Sequence, residues 1–385
     1  LPISQGAGGA GTVRRTIRWI DAAGIAERAL GNGGKVLMSD KRIIDYGVQV
    51  GTMKKGPLNK ISDVPGVLVG HCTIDTADHQ TGVTVVLPGP ENPFLYKPVA
   101  ASFVLNGFGK TLGLVQIDEL GTLETPIALT NTLNVGKVHD ALVEYMLGRC
   151  AKDKTPVYSI NPVVCECNDA GLNDIRTRVI GEREVFAAIE DARADFAEGA
   201  VGAGRGTVCH SLKGGIGSAS RQFELDGQIY TIGVLVQSNH GRLEDLVVEG
   251  RPVGQQLRER LESEPVDKGS IIMIVATDLP VNDRQLKRII KRCSVGLARL
   301  GSYIGHGSGE IMVGFTTANR ISQKEKAGIV SQKILNEGKI DLAFRAVAEA
   351  TEEAVLNSLA AACTVTGWKG KKKAALRDFF PEGNL

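Results

Sequence analysis

The stretch Ser270–Asp278, SIIMIVATD, is apolar without a break from Ile271 to Ala276 and has turn formers at both ends. A continuous apolar run of this length reads as a β-strand buried on both faces, because a half-exposed strand would alternate with polar residues. Directly after it, Asn282 or Asp283 is placed to cap a helix. Leu286, Ile289, Ile290, Cys293, Leu297 and Leu300 then follow at helical spacing, with Arg284, Lys287, Arg288, Lys291 and Arg292 on the other face. A buried strand followed by a helix with one apolar face implies a sheet covered by helices.

The same alternation extends outward. Gly82–Pro88 reads as a strand, Pro126–Gly136 as strand and turn, and Lys137–Leu147 as a helix striped by Val138, Leu142, Tyr145 and Met146. Thr231–Ser238 is a β-branched run that leads into Asn239, His240 and Gly241. Ile311–Thr317 is another strand, and Leu342–Cys363 a long amphipathic helix. Residues 249–269 are charged, carry two prolines and read as a polar linker where the chain can be cut without unfolding. Residues 1–37 show glycine clusters and little hydrophobic rhythm, and read as an extension before Met38. Residues 38–385 read as a single compact domain.

The composition excludes several functions. Hydrophobic residues make up 43% and charged residues 23%, with a formal net charge of +2, so nothing calls for nucleic acid or another polyanion. The lysines of Lys369–Lys373 read as solvated surface. No stretch approaches the roughly 18 uninterrupted apolar residues of a membrane span. Seven cysteines, an odd number in a long chain, point to a reducing, cytoplasmic setting. Cys165 and Cys167 have no second pair to complete a zinc site, so no metal is expected. Cys72, Cys209, Cys293 and Cys363 read as buried thiols. GAGRG (Gly202–Gly206) lacks the Gly-Lys-Ser/Thr of a phosphate loop, and no cofactor is expected.

Six ordered blocks carry a resemblance: NKISDVPGVLVGHCTI (Asn59–Ile74), GTLETPIALTNTLNVG (Gly121–Gly136), GAGRGTVCHSLKGGIGSASR (Gly202–Arg221), TIGVLVQSNHGR (Thr231–Arg242), KGSIIMIVATDLPVNDRQLKRI (Lys268–Ile289) and GHGSGEIMVGFTT (Gly305–Thr317). Together they resemble the DmpA-type L-aminopeptidase/D-esterase family, which includes the β-peptidyl aminopeptidases. The resemblance implies an α/β (α+β) fold, a four-layer αββα sandwich similar to N-terminal nucleophile hydrolases. It also implies a precursor that cuts itself at a Gly-Ser bond, here Gly269-Ser270, into an α chain (38–269) and a β chain (270–385). Ser270 would be the nucleophile, supported by Ser308 and Glu310, with Asn239 stabilising the oxyanion. The implied substrate is a small peptide, aminoacyl amide or ester. The implied assembly is a homo-oligomer, tetramer or higher, of α/β heterodimers.

The chemistry suits these residue types. A serine hydroxyl needs a base. An N-terminal serine has one in its own α-amine, whose unperturbed pKa is about 7.7–8.0. Before cleavage the same hydroxyl can attack the Gly269 carbonyl, and glycine there tolerates a strained backbone and leaves room for attack. Backbone amides of Lys213–Ser218 are further oxyanion candidates, and Glu310 either orients the serines or pairs with the substrate ammonium. Asn131 and Asn134 either line the site or satisfy a turn. Where the family can carry an active-site tyrosine, Asn168 stands here and is a candidate binding residue. His210, His240 and His306 receive no catalytic role from the resemblance. A specialised amidase or acyltransferase on the same fold is the alternative function; the related ornithine acetyltransferases use a threonine nucleophile, which Ser270 does not match. A non-catalytic relative is the remaining reading.

Overall fold

The computed structural model describes residues 41–261, 269–381, 383 and 385. The expectations for residues 1–37, and the part of the linker at 262–268, lie outside the described residues. In chain order the strands are β1 (Leu68–Asp75), β2 (Gln80–Leu87), β3 (Tyr96–Gly107), β4 (Ile127–Asn131) and β5 (Val163–Cys167). They continue with β6 (Val208–Cys209), β7 (Leu212–Lys213), β8 (Gly215–Leu225), β9 (Gln228–Asn239), β10 (Ser270–Thr277) and β11 (Gly309–Ser322). The short β12 (Val365–Thr366) and β13 (Lys372–Lys373) close the series. The helices are α1 (Leu114–Leu120), α2 (Val135–Lys152), α3 (Glu182–Glu190), α4 (Val253–Leu257), α5 (Asp283–Ile290), α6 (Cys293–Arg299) and α7 (Ile340–Ala360).

Two sheets result, one ordered β1-β2-β4-β5 and the other β3-β11-β10-β9-β8. Strand β10 is the middle of the larger sheet and is buried at every position. Side-chain alternation divides it between two cores. Ile272, Ile274 and Ala276 join Leu129, Val163 and Cys165 in the core between the sheets. Ile271, Met273 and Val275 join Leu286, Ile289, Val347 and Leu356 in the core under α5, α6 and α7. A third core packs α2 and α3 on the outer face of the smaller sheet. The layers are therefore helix, sheet, sheet, helix. Each fully buried Ile or Val in β10 contributes roughly 1.5–3 kcal/mol of transfer free energy, which is why this strand organises both faces.

Local signals explain the joints. Asn282 caps α5 by accepting from Gln285 N at 2.8 Å, and the Gln285 side chain accepts in return from Asn282 N at 3.4 Å. The single helix expected from Leu286 to Leu300 is instead two, α5 and α6, broken after Ile290. The apolar stripe runs through the break, so periodicity alone does not show it. The second axis seats Gly296 against α7, where a Cβ would lie 2.8 Å from Ala348 O. The linker reading of 249–269 also needs correction. It contains α4, whose Val253 and Leu257 are buried against Leu243 and Leu246. Two apolar residues four apart sufficed to fold a segment whose composition is mostly polar.

Candidate active site

Residue Ser270 opens β10 between two neighbours. Across the antiparallel ladder it faces Asn239, and along the parallel ladder it pairs with Gly309. Directly paired residues share a face, so the Ser270 and Asn239 side chains project to the inter-sheet side with Ile272 and Gln237. Gln237 fixes that side by donating its amide to Thr130 O at 3.1 Å and Ala203 O at 2.9 Å, tying β9 to the smaller sheet. Ser270 is 8% exposed, a buried hydroxyl at the rim of the inter-sheet core. Its Oγ accepts a hydrogen bond from Gly309 N at 3.2 Å. The same N–H lies 3.3 Å from the carbonyl oxygen of Gly269. One backbone donor thus serves both the hydroxyl and the carbonyl of the adjoining peptide bond. Below them the Cys167 thiol donates to Gln237 O at 3.4 Å and to Ser270 O at 3.6 Å. Burial, with Glu166 nearby, pushes that thiol far up in pKa, so it stays a neutral donor.

The requirement for glycine at 269 differs from the expected one. Gly269 is not among the residues with positive φ. A Cβ there would lie 1.9 Å from Asn239 O and 2.5 Å from His240 Cα. Close approach of two backbones, not a left-handed conformation, excludes a side chain.

Asn239 is oriented by Val208 N, which donates to its Oδ1 at 2.8 Å. With the oxygen held, the amide Nδ2 is left as the donor. Ser308 and Glu310 are fully buried and flank Gly309, and the Ser308 hydroxyl donates to the Glu310 carboxylate. Among the described residues Ser270 Oγ has no direct hydrogen bond to Ser308; the link runs through Gly309. The turn that delivers Ser308 is held by Asn106 of β3, whose Nδ2 donates to Gly305 O at 3.0 Å and to Ser308 O. A register shift between Glu310 and Ile311 against β3 accompanies it. Asn106 was missed by the sequence reading, because an asparagine near a strand end carries no signal of its partner 200 residues on.

With this geometry in place, comparison with known proteins is decisive. Residues 59–373 match Peptidase family S58. The chain belongs to peptidase family S58. It is 39% identical over 344 residues to the β-peptidyl aminopeptidase BapA of Sphingosinicella microcystinivorans, covering 82% of this chain and 85% of that protein. Among solved structures it resembles the PH0078 protein of Pyrococcus horikoshii OT3, with a TM-score of 0.84 and 45% identity over 90% of this chain and 100% of the other. It also resembles the L-aminopeptidase D-Ala-esterase/amidase of Ochrobactrum anthropi, with a TM-score of 0.81 and 34% identity over 87% and 95% of the two chains. That enzyme is a prototype of the serine aminopeptidases and a variant of the Ntn hydrolase fold. The S58 chain is accordingly a hydrolase of aminopeptidase/amidase type on that fold.

Other candidates of the S58 chain fall outside the Ser270 ribbon. Asn131 is 2% exposed, accepts from Asn134 N at 3.1 Å and donates to Thr81 Oγ1 at 2.9 Å, so it caps a buried turn. Asn134 is fully buried in the same turn. Both are spent on the fold. Asn168 is exposed and accepts from Ala170 N at 3.0 Å in a local turn, one residue beyond Cys167. The Lys213–Ser218 amides are also committed elsewhere: Gly214 N to Thr207 O, Gly215 N to Ser238 Oγ, Ile216 N to Gly199 O and Ser218 N to Glu198. Those four amides are not free oxyanion donors. His306 is exposed, whereas His210 and His240 are buried beside Gly241. No helix among the described residues is long and apolar enough to cross a membrane.

Proposed function

We propose that the chain cuts itself between Gly269 and Ser270 and then removes N-terminal residues from small peptides, amides or esters through an acyl-enzyme on Ser270. The observation that carries this reading is the Gly309 N–H shared between Ser270 Oγ, at 3.2 Å, and Gly269 O, at 3.3 Å. The hydroxyl that attacks and the carbonyl that is attacked thus meet at one donor. In the first reaction Ser270 Oγ adds to the Gly269 carbonyl carbon and the oxyanion takes the Gly309 hydrogen bond. The bond from Gly269 C to Ser270 N breaks, leaving an ester and a free amine, and water then releases the Gly269 carboxylate.

In turnover the new α-amine takes the Ser270 proton, since its ordinary pKa of about 7.7–8.0 suits a base near neutral pH. Asn239 Nδ2 and Gly309 N–H stabilise the tetrahedral oxyanion. Glu310, bonded to Ser308, supplies the buried negative charge that recognises a substrate ammonium. Substrates with β-amino N-termini and D-alanyl esters follow from the similarity to the β-peptidyl aminopeptidases and the L-aminopeptidase D-Ala-esterase/amidase. Asn168, one residue beyond the Cys167 that bonds Ser270 O, is a candidate contact for the substrate side chain. The seven free thiols fit a reducing, cytoplasmic setting, and an oligomer of cleaved heterodimers is the expected assembly.

Intact-mass measurement on Ser270→Ala tests the reading. The wild-type chain is expected as two fragments meeting at 269 and 270, and the variant as one uncut, inactive chain. Persistent cutting in the variant would remove Ser270 from both reactions. A panel of aminoacyl amides, β-peptides and D-amino-acid esters separates a general aminopeptidase from a specialised amidase.

A further inference from the structure

Behind the oxyanion arm lies a group of side chains that the reaction does not use. Strands β6 and β7 form a tight hairpin whose turn residues, His210 and Ser211, both have left-handed backbones, with φ of 47° and 62°. Neither is glycine, so the turn carries a conformational cost of order 1–3 kcal/mol per residue. Its effect is to turn the His210 ring inward. There the ring packs on Gly241, where a Cβ would lie 2.4–2.7 Å from three imidazole atoms. His210 N donates to His240 O at 2.7 Å, locking the hairpin to the end of β9. The two imidazoles meet edge to face with centroids 5.3 Å apart. Cys209 Sγ lies 3.9 Å from His240 Nδ1. One ligand atom from each of Cys209, His210 and His240 lies within 4.8 Å of the other two, and all three residues are buried.

Packing alone accounts poorly for this arrangement. His210 Nδ1 donates to Arg242 O at 2.8 Å, which fixes the tautomer and leaves Nε2 as the basic nitrogen. This is the backbone-carbonyl support that metal-bound histidines ordinarily have. His240 turns its Nδ1 toward the Cys209 thiol, which makes Nδ1 the nitrogen placed to share a cation with that sulfur. A tetrahedral zinc with sulfur at about 2.3 Å and nitrogen at about 2.0–2.1 Å needs donor pairs roughly 3.3–3.6 Å apart. The 3.9 Å pair is within a small side-chain shift of that spacing.

We propose that Cys209, His210 and His240 form a three-ligand site for a thiophilic divalent cation of the zinc type, beside the Gly269–Ser270 junction. Binding replaces the Cys209 S–H bond with a sulfur–metal bond and releases one proton to solvent, with no change of oxidation state. The site grips both ends of the arm that carries Asn239, because Val208 N holds the Asn239 amide and His210 N holds the next carbonyl. This keeps the expected burial of the Cys209 thiol and departs from the expectation of no metal. The sequence distance between Cys209-His210 and His240 hid the group.

Cobalt(II) titration of the purified full-length protein, stripped with chelator, tests the proposal without reference to peptidase activity. One equivalent is expected to bind, with a solvent water as fourth ligand, a thiolate-to-cobalt charge-transfer band and the intense visible bands of four-coordinate cobalt. Zinc(II) is expected to bleach them and to raise the thermal midpoint. Cys209→Ser should lose the charge-transfer band, whereas Cys363→Ser should keep it. If Cys209→Ser does not fold, His240→Gln serves in its place and should lose four-coordinate binding. Absence of the bands in folded wild type, or their persistence in the folded Cys209 or His240 variant, overturns the site.

Discussion

Two buried polar groups on opposite faces of the larger sheet make an instructive pair. On the helix side, Arg221 of β8 is fully buried and bonds Glu349 at 3.1 Å and Glu353 at 2.7 Å, both from α7. Lys55 and Asn59 each reach Glu353 at 2.7 Å, Arg345 reaches Glu349 at 3.0 Å, and Arg221 also donates to Val50 O and Ser220 O. Every charge there meets an opposite charge. On the inter-sheet side, Ser270, Asn239 and Gly309 spend only part of their capacity on one another. Asn239 keeps its amide nitrogen, and Gly309 divides one N–H between two oxygens. A charge-paired network holds β8 to α7, whereas the donors left over beside Ser270 fit the proposed oxyanion role. Burial is common to both, so pairing rather than burial separates the two.

The sharpest break of this comparison is Arg221→Met. It leaves Glu349 and Glu353 buried without their shared cation, which costs about 3–5 kcal/mol of stability. Chemical denaturation should show that loss, while kcat per folded molecule stays near wild type. A large kcat loss at full folding would erase the distinction between the two networks. The pH profile sharpens it. Burial would raise both carboxyls, but Arg221 with the other donors holds them below the usual carboxylate value of 4.5. Their contribution is therefore present above pH 4.5 and is lost as pH falls through the depressed values. Arg221→Met should flatten this acid limb.

The mirror experiment is Asn239→Ala. On the proposed reading this removes one oxyanion donor and should lower kcat by about 10²–10³, or roughly 3–4 kcal/mol of transition-state stabilisation. Unfolding should shift far less than for Arg221→Met, since among the described residues the only side-chain bond lost is the one from Val208 N. Equal losses in stability and kcat would mean that Asn239 is scaffold after all.

How much of this was legible in the sequence follows the same division. Strand β10 was readable because Ile271 to Ala276 leave no polar face, and Asn282 because its side chain acts three residues away. The layering and the Ser270, Ser308, Glu310 and Asn239 group came from six blocks in order, not from periodicity. Long-range polar pairing was not readable. Nothing in the residues around Arg221 predicts two carboxylates 128 residues and more downstream, and a lone arginine in a strand ordinarily reads as surface. The break between α5 and α6 was hidden because the apolar stripe continues through it. The role of Gly269 was assigned to a strained backbone and to room for attack, whereas the contact with Asn239 O that excludes a side chain lies on another strand.

Asn106 tests the comparison at its finest grain, because it touches no reacting atom and belongs to neither network. Its Nδ2 ties the carbonyls of Gly305 and Ser308 together beneath the turn that carries Ser308. A net hydrogen bond contributes about 1 kcal/mol, and 1.4 kcal/mol is a tenfold rate change. Asn106→Ala should therefore lower kcat several-fold by loosening Ser308 and Gly309, and leave KM and the midpoint of unfolding nearly unchanged. Asn106→Asp keeps the size and removes the donor, so it should be no better than alanine. Asn106→Gln retains an amide that can reach the same carbonyls after a small shift, and should recover part of the rate. If alanine left kcat at the wild-type value, the turn would be held well enough by its own Ser308 N to Gly305 O bond and the Glu310–Ile311 register shift. Asn106 would then pass from the positioning of the site to the ordinary saturation of a loop.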